Sequence, residues 1–174
     1  MNAPTPIKQA DYLVLESTYG DRTHDKTDPK IKLAETINRT ISRGGKLIVP
    51  VFAVGRAQEI LYAIHLLKNE GKIADVPVYL NSPMAIDATQ IFVRHSGEHR
   101  LSRAECEAMC RTARMVNTVE QSKALNENPH PMIILAASGM ASGGRVVHHI
   151  EAFAPNPQNT ILFVGFQAAG TRGA

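Results

Sequence analysis

The chain has 174 residues, 44% of them apolar, enough to bury the core of one domain and too few for two of ordinary size. Its formal net charge of +3 and pI near 9.0 are mildly basic, which suits a polyanionic partner and an ordinary surface alike. No apolar run approaches the roughly 20 residues that span a bilayer, and Met1 to Gln9 lacks the apolar stretch of a signal peptide, so the sequence reads as a cytoplasmic protein with no membrane partner. The two cysteines, Cys106 and Cys110, are expected to be reduced thiols, since a bridge between them would close a very small loop.

Taken in chain order, Tyr12 to Leu15 is a short apolar run that breaks into Glu16-Ser17-Thr18-Tyr19-Gly20, the pattern of a buried strand delivering a polar loop. Asp28-Pro29 then offers an N-cap followed by proline at the first helical position, and Ile31, Ala34, Ile37 and Ile41 keep helical spacing until Gly44-Gly45. Leu47 to Phe52 is strand-like, and Ala57 to Asn69 is helical, with Gly71 beyond it. Val76 to Leu80 is a further strand. Between Met84 and Met115 the pattern is helical, divided at Ser96-Gly97. Asn126 to Pro131 is a polar loop, Met132 to Ala137 an apolar strand, Val146 to Phe153 a helix and Thr160 to Val164 the last strand. Apolar strands separated by helices predict an α/β fold in three layers, a mostly parallel sheet flanked by helices.

Ligands of open parallel sheets gather where strands end, so the residues after each apolar run are the candidates. After Met132 to Ala137 comes Ser138-Gly139-Met140-Ala141-Ser142-Gly143-Gly144-Arg145, opening a helix. Small residues leave backbone N–H groups unobstructed at the positive end of the helix dipole, with Ser138, Ser142 and Arg145 as further donors. This is a candidate phosphate cradle; a turn that only lets strand and helix pack closely is the plain alternative. Gly55-Arg56 and Asn81-Ser82 mark similar edges, with Arg56 a candidate phosphate grip or else a structural partner of Glu59 or Asp21. There is no G-x-x-x-x-G-K-[ST], and no G-x-G-x-x-G follows the first strand, so kinase and dehydrogenase readings have little support.

Glu16-Ser-Thr-Tyr-Gly20, Pro50-Val-Phe-Ala-Val-Gly-Arg-Ala-Gln-Glu59, Asn81-Ser-Pro-Met-Ala85, Ser138-Gly-Met140 with Gly143-Gly-Arg145, and Gly165-Phe-Gln-Ala-Ala-Gly-Thr171 together resemble the motifs of the β-CASP nucleases of the metallo-β-lactamase superfamily, in order and spacing. The resemblance implies a Rossmann-like β-CASP domain over residues 21–174, truncated at its C-terminal end. It further implies a strand and motif loop over 11–20 at the edge of a metallo-β-lactamase core, and a flexible segment over 1–10. It implies a parent that hydrolyses phosphodiesters in single-stranded RNA with two zinc ions, this domain covering the substrate. The family's H-x-H-x-D-H is not in the sequence, nor are its later catalytic histidines, so the piece alone is expected to be inactive and to hold no cofactor. Glu16 corresponds to the family's acidic motif, whose implied role is to orient a histidine that this chain lacks. RNA-binding residues implied are Arg56, Ser82, Ser138, Gly139, Met140, Ser142, Gly143, Gly144 and Arg145. The partners implied are RNA and the metallo-β-lactamase core of the same parent, with a homodimer left open. A stand-alone, non-catalytic nucleic-acid-binding or interaction module is the alternative reading.

Of the seven histidines, His95 and His99 share a helical spacing with each other, as do Cys106 and Cys110, and a Cys2His2 zinc site is the alternative to no metal at all. The expectation is none. His148-His149 are read as helix residues, one facing core or sheet, and His65 as a helix-face residue.

Overall fold

The computed structural model describes residues 5–174; the flexible segment expected over residues 1–10 lies, for residues 1–4, outside them. The first helix, α1 (Pro29–Ser42), starts as its sequence dictates. The Asp28 carboxylate accepts the Lys30 N–H at 2.9 Å and proline occupies a position whose N–H has no helical partner. It leads into β1 (Leu47–Pro50), α2 (Arg56–Asn69), β2 (Val78–Asn81) and α3 (Pro83–Arg94). A 3₁₀ turn over Ser96–Glu98 separates α3 from α4 (Arg103–Arg111), where the Ser96-Gly97 break was expected. Then follow β3 (Arg114–Met115), α5 (Val119–Glu127), β4 (Ile133–Ala136), α6 (Arg145–Phe153) and β5 (Thr160–Ile161).

The five strands form one sheet in the order β3-β2-β4-β1-β5, every pairing parallel, which sharpens the expectation of a mostly parallel one. In the centre, β1 runs in register with β4 from Leu47 opposite Ile133 to Pro50 opposite Ala136. Strands alternate their side chains between faces, so each neighbouring residue enters a different layer. Leu47, Val49, Leu80, Ile133 and Leu135 pack with Leu33, Ile37, Leu61, Ile64, Ile86 and Met109 of α1 to α4. Ile48, Tyr79, Ile134 and Ala136 face the opposite layer, against Leu125 of α5 and Val146 and Phe153 of α6. The result is the expected three layers.

Three departures from the sequence reading have physical causes. The strand expected at Tyr12 to Leu15 does not form: these side chains are 93%, 73%, 95% and 73% exposed, and among the described residues no strand offers the run a ladder. The strand expected over Thr160 to Val164 stops at Ile161. Leu47 and Val51 direct their N–H groups to β4, so Pro50 lies on the β5 side, where it has no N–H to give the Leu162 carbonyl. The last rung there is Leu162 N–H to the Ile48 carbonyl at 2.9 Å. The third departure is an addition, α5 with the short β3 before it. Thr118 and Gln121 close a capping box at the start of α5, Thr118 Oγ1 accepting from Gln121 N–H and Gln121 Oε1 from Thr118 N–H, both at 3.2 Å.

Leu135 is fully buried in the central strand, touching the α1 to α4 layer. Leu135→Ala is therefore expected to lower unfolding free energy by about 2–5 kcal/mol. Urea unfolding followed by circular dichroism measures it, and a loss under about 1 kcal/mol would contradict this core assignment.

Candidate nucleic-acid interface

The chain leaves β1 toward β2 on one side and leaves β4 toward β5 on the other, although β1 and β4 are neighbours. The helices that follow, α2 and α6, lie on opposite faces of the sheet. A crevice at the carboxyl ends of two such strands is the topological switch point of a doubly wound sheet, where the loops diverge and a ligand can enter. Its walls are Phe52–Gly55 after β1 and Ser138–Gly144 after β4.

These walls touch each other. A Cβ on Gly139 would stand 2.7 Å from the Phe52 ring and 2.9 Å from its backbone nitrogen, so only glycine allows this approach. Gly144 has φ +74° and a Cβ there would lie 2.3 Å from the Ala137 carbonyl oxygen. Ser138 is turned inward, its N–H and Oγ both directed at the Gly143 carbonyl, at 3.2 and 3.3 Å. Ser142 Oγ donates to the Met140 carbonyl at 3.3 Å. Among the described residues the N–H groups of Met140, Ser142, Gly143 and Gly144 have no backbone acceptor. Gln167 braces the loop from the third side, its Nε2 donating to the carbonyls of Gly139 (3.0 Å), Gly165 (3.1 Å) and Phe166 (3.1 Å). Three acceptors around one amide nitrogen fix its orientation and leave the buried Gln167 Oε1 without a partner among the described residues.

The charged candidates are placed differently from one another. Arg56 opens α2 and its Nη1 donates to Glu59 Oε2 at 2.7 Å, the structural pairing weighed above. The Arg56 side chain is 40% and the Glu59 side chain 65% exposed, so water screens the pair, which contributes about 0–1 kcal/mol and can yield to another anion. Arg145 opens α6 and reaches across the sheet edge. Its Nη1 donates to Asn81 Oδ1 and to the Val116 carbonyl, both at 2.9 Å, and its Nη2 to the Asn117 carbonyl at 2.5 Å. Ser82 is buried and caps α3, its Oγ accepting the Ala85 N–H at 3.2 Å. Glu16 lies in the exposed loop after Leu15. Hydrogen bonding from Thr18 holds its carboxyl below the usual range, including a 2.6 Å bond from the Thr18 N–H.

Beneath Arg145 is a polar cluster that the sequence did not single out. Asn81 ends β2 fully buried. Because its Oδ1 receives Arg145, its Nδ2 must face His149 Nε2 at 2.6 Å and Ser122 Oγ at 2.7 Å. His149 Nε2 is therefore the acceptor, and its Nδ1–H donates to Asn126 Oδ1 at 2.6 Å. Burial above all, with the nearby His148 and Arg145 adding to it, pushes the His149 pKa down to about 4. His149 is thus the core-facing member of the pair and His148 the exposed one.

Among the described residues no three His, Cys, Asp or Glu side chains are grouped to hold an ion. His99 stacks on Phe92 with centroids 4.0 Å apart and directs Nε2 to the Phe92 carbonyl at 3.0 Å, while His95 pairs with Glu98 at 3.1 Å. Burial raises the pKa of Cys106 and Cys110, against the thiolate that zinc requires. Held in these contacts, the two histidines and two cysteines do not form the Cys2His2 zinc site weighed above.

Comparison with known proteins decides the family. A Beta-Casp domain profile matches residues 57–174. The chain belongs to the Beta-Casp domain family. Similar proteins include a protein named Ribonuclease TTHA0252 from Thermus thermophilus, 39% identical over 172 residues, 95% of this chain and 39% of that protein. An RNase J-like protein from Methanocaldococcus jannaschii is 35% identical over 178 residues, 98% of this chain and 41% of its own length. A transcription termination factor, FttA, from Methanosarcina mazei is 35% identical over 183 residues, 98% of this chain and 28% of its own. The chain thus spans well under half of these Beta-Casp relatives.

The His149 placement has a pH consequence. A histidine whose folded pKa lies near 4, below its ordinary 6.5, favours the folded state fully only above about pH 6.5. As pH falls toward 4 the unfolded chain takes up the proton first, and on the order of 3 kcal/mol of stability is lost. A proton titration of the His149 ring by NMR checks this; a midpoint near 6.5 would contradict the buried neutral imidazole.

Proposed function

We propose that this chain is the substrate-covering β-CASP domain of a zinc-dependent ribonuclease that hydrolyses phosphodiesters in RNA processing. The observation that carries the reading is the pair of loops at the β1/β4 switch point. There the uncommitted N–H groups of Met140, Ser142, Gly143 and Gly144 lie before α6, and Arg56 lies at the start of α2. N–H groups at a helix N-terminus suit phosphate oxygens whatever the base sequence, and the partly exposed Arg56 adds a charge-assisted grip. The names of the ribonuclease and RNase J-like relatives support RNA as the substrate. Their greater length supports a parent in which a metallo-β-lactamase core carries the two zinc ions and is the partner of this domain. In that parent the exposed run Tyr12 to Leu15 would pair as a strand with the core, and Glu16 would follow it to orient a core histidine. Zinc, once bound there, would activate the attacking water. The residues of this chain would hold and orient the RNA backbone, so the isolated chain binds RNA without cutting it.

The 174-residue chain is accordingly expected to bind an unstructured oligoribonucleotide with an affinity that falls steeply as salt rises. Arg56→Ala should reduce the log–log salt slope by about one while leaving the fold intact. Fluorescence anisotropy across a salt series measures both. The zinc-loaded full-length protein should cut the same RNA and lose that activity to a chelator; failure to cut any unstructured RNA would defeat the reading.

A further inference from the structure

Beside the switch point, between α2, α3 and α4, lies a cavity of about 780 Å³. Its walls are largely apolar: Phe52 from the loop after β1, Tyr62 of α2, Ile91 and Phe92 of α3, then Leu101 and Met109. The chain holds five Phe, four Tyr and no Trp, so three of its nine such rings meet in this one place. Resting on the reading above, we propose that the cavity is a nucleobase subsite, in which a base of the bound single-stranded RNA stacks on Phe52. A pocket of this size, with apolar and aromatic walls and few polar groups, has the character of a site for a small flat organic group.

Phe52 joins the two regions. Its ring is what Gly139 approaches from the β4 loop, and the same residue, 42% exposed, lines the cavity. A strand held by its phosphates at the switch point therefore runs beside this ring, where a base can turn onto it. The charges of the lining favour an uncharged occupant over an anion. Arg56 and Arg100 are matched by Glu59 and Glu98, so the Arg and Glu side chains leave no net charge. Arg56 pairs with Glu59 at 2.7 Å and His95 with Glu98 at 3.1 Å, within the lining itself. A phosphate gains little there, whereas a base brings a π-face without a charge, and stacking on an aromatic ring tolerates any base. The Phe92 and His99 rings, both in the lining, already stack with centroids 4.0 Å apart and planes 6° from parallel. Their orientation is set before a ligand arrives, which leaves little side-chain freedom to lose on binding.

The test compares an unstructured oligoribonucleotide with an abasic oligomer carrying the same number of phosphates. Both are titrated into the 174-residue chain and followed by anisotropy and by NMR of the aromatic ring protons. The oligoribonucleotide is expected to bind about tenfold more tightly, and the Phe52 and Tyr62 ring protons to move upfield with it and not with the abasic oligomer. Phe52→Leu keeps the apolar bulk and removes the ring. It should weaken oligoribonucleotide binding about tenfold with the log–log salt slope unchanged, because no charge is lost, in contrast to Arg56→Ala. Equal affinity for the two oligomers, or ring protons unmoved at saturation, would overturn the base subsite while the phosphate-binding reading stands, as would wild-type affinity in a folded Phe52→Leu. Binding of neither oligomer at any salt concentration would overturn both. The ring protons are read in the wild-type chain, so a poorly folded variant does not blunt the experiment.

Discussion

The parallel ladder between β1 and β4 is the constraint from which the rest of the molecule follows. Four residues on each strand pair in register, and Leu47, Ile48, Val49, Ile133, Ile134, Leu135 and Ala136 are wholly removed from water. Strands buried on both faces must be covered twice, and the chain does so with α1 to α4 on one side and α5 and α6 on the other. Because β1 and β4 hand the chain to helices on opposite faces, their ends cannot be closed by a connecting loop. The crevice is a consequence of the topology; Gly139 lets the two walls approach at Phe52, and Gly144 lets the β4 loop fold back on Ala137.

The second organising element is the polar chain from Arg145 through Asn81 to His149 and Asn126. Every member has a partner on another element, so the cluster ties the end of β2, α5 and the first half of α6 into one unit. A buried network of this kind strengthens itself in a low dielectric and is costly to break at any one point. Its orientation is self-consistent: Arg145 requires an oxygen from Asn81, which forces the amide nitrogen toward His149, which must then be neutral.

Much of the fold was legible because local signals agreed with the tertiary structure. Asp28-Pro29 starts α1, Ser82-Pro83 starts α3, and the runs around Ile48 and Ile134 are strands. What was not legible depended on partners remote in sequence. Tyr12 to Leu15 has the composition of a strand, yet a strand exists only where a neighbour supplies a ladder. β5 is cut short by Pro50, more than a hundred residues earlier. The start of α5 was readable from the Thr118-x-x-Gln121 capping pattern, but its few apolar residues gave a weak period. At the site, the glycines and Arg145 were identified from the strand end they follow; Asn81 was marked only as a strand edge, His149 only as one of a pair with a core-facing member, and Gln167 only within a motif, none with its partners. A polar residue closing an apolar strand, as Asn81 does, was the available signal; its partners come from the β3–α5 loop, α5 and α6, which no local pattern brings together.

The most direct measurement is a map of backbone amide shifts in the ¹⁵N-labelled chain as a single-stranded oligoribonucleotide is added. If RNA phosphates enter the switch point, the amides of Met140, Ser142, Gly143 and Gly144 shift first and furthest, with those of Gly55 to Ala57 beside them. Shifts confined to surfaces remote from both loops, with these amides unmoved at saturation, would contradict the assignment of the β1/β4 crevice as the RNA-facing surface.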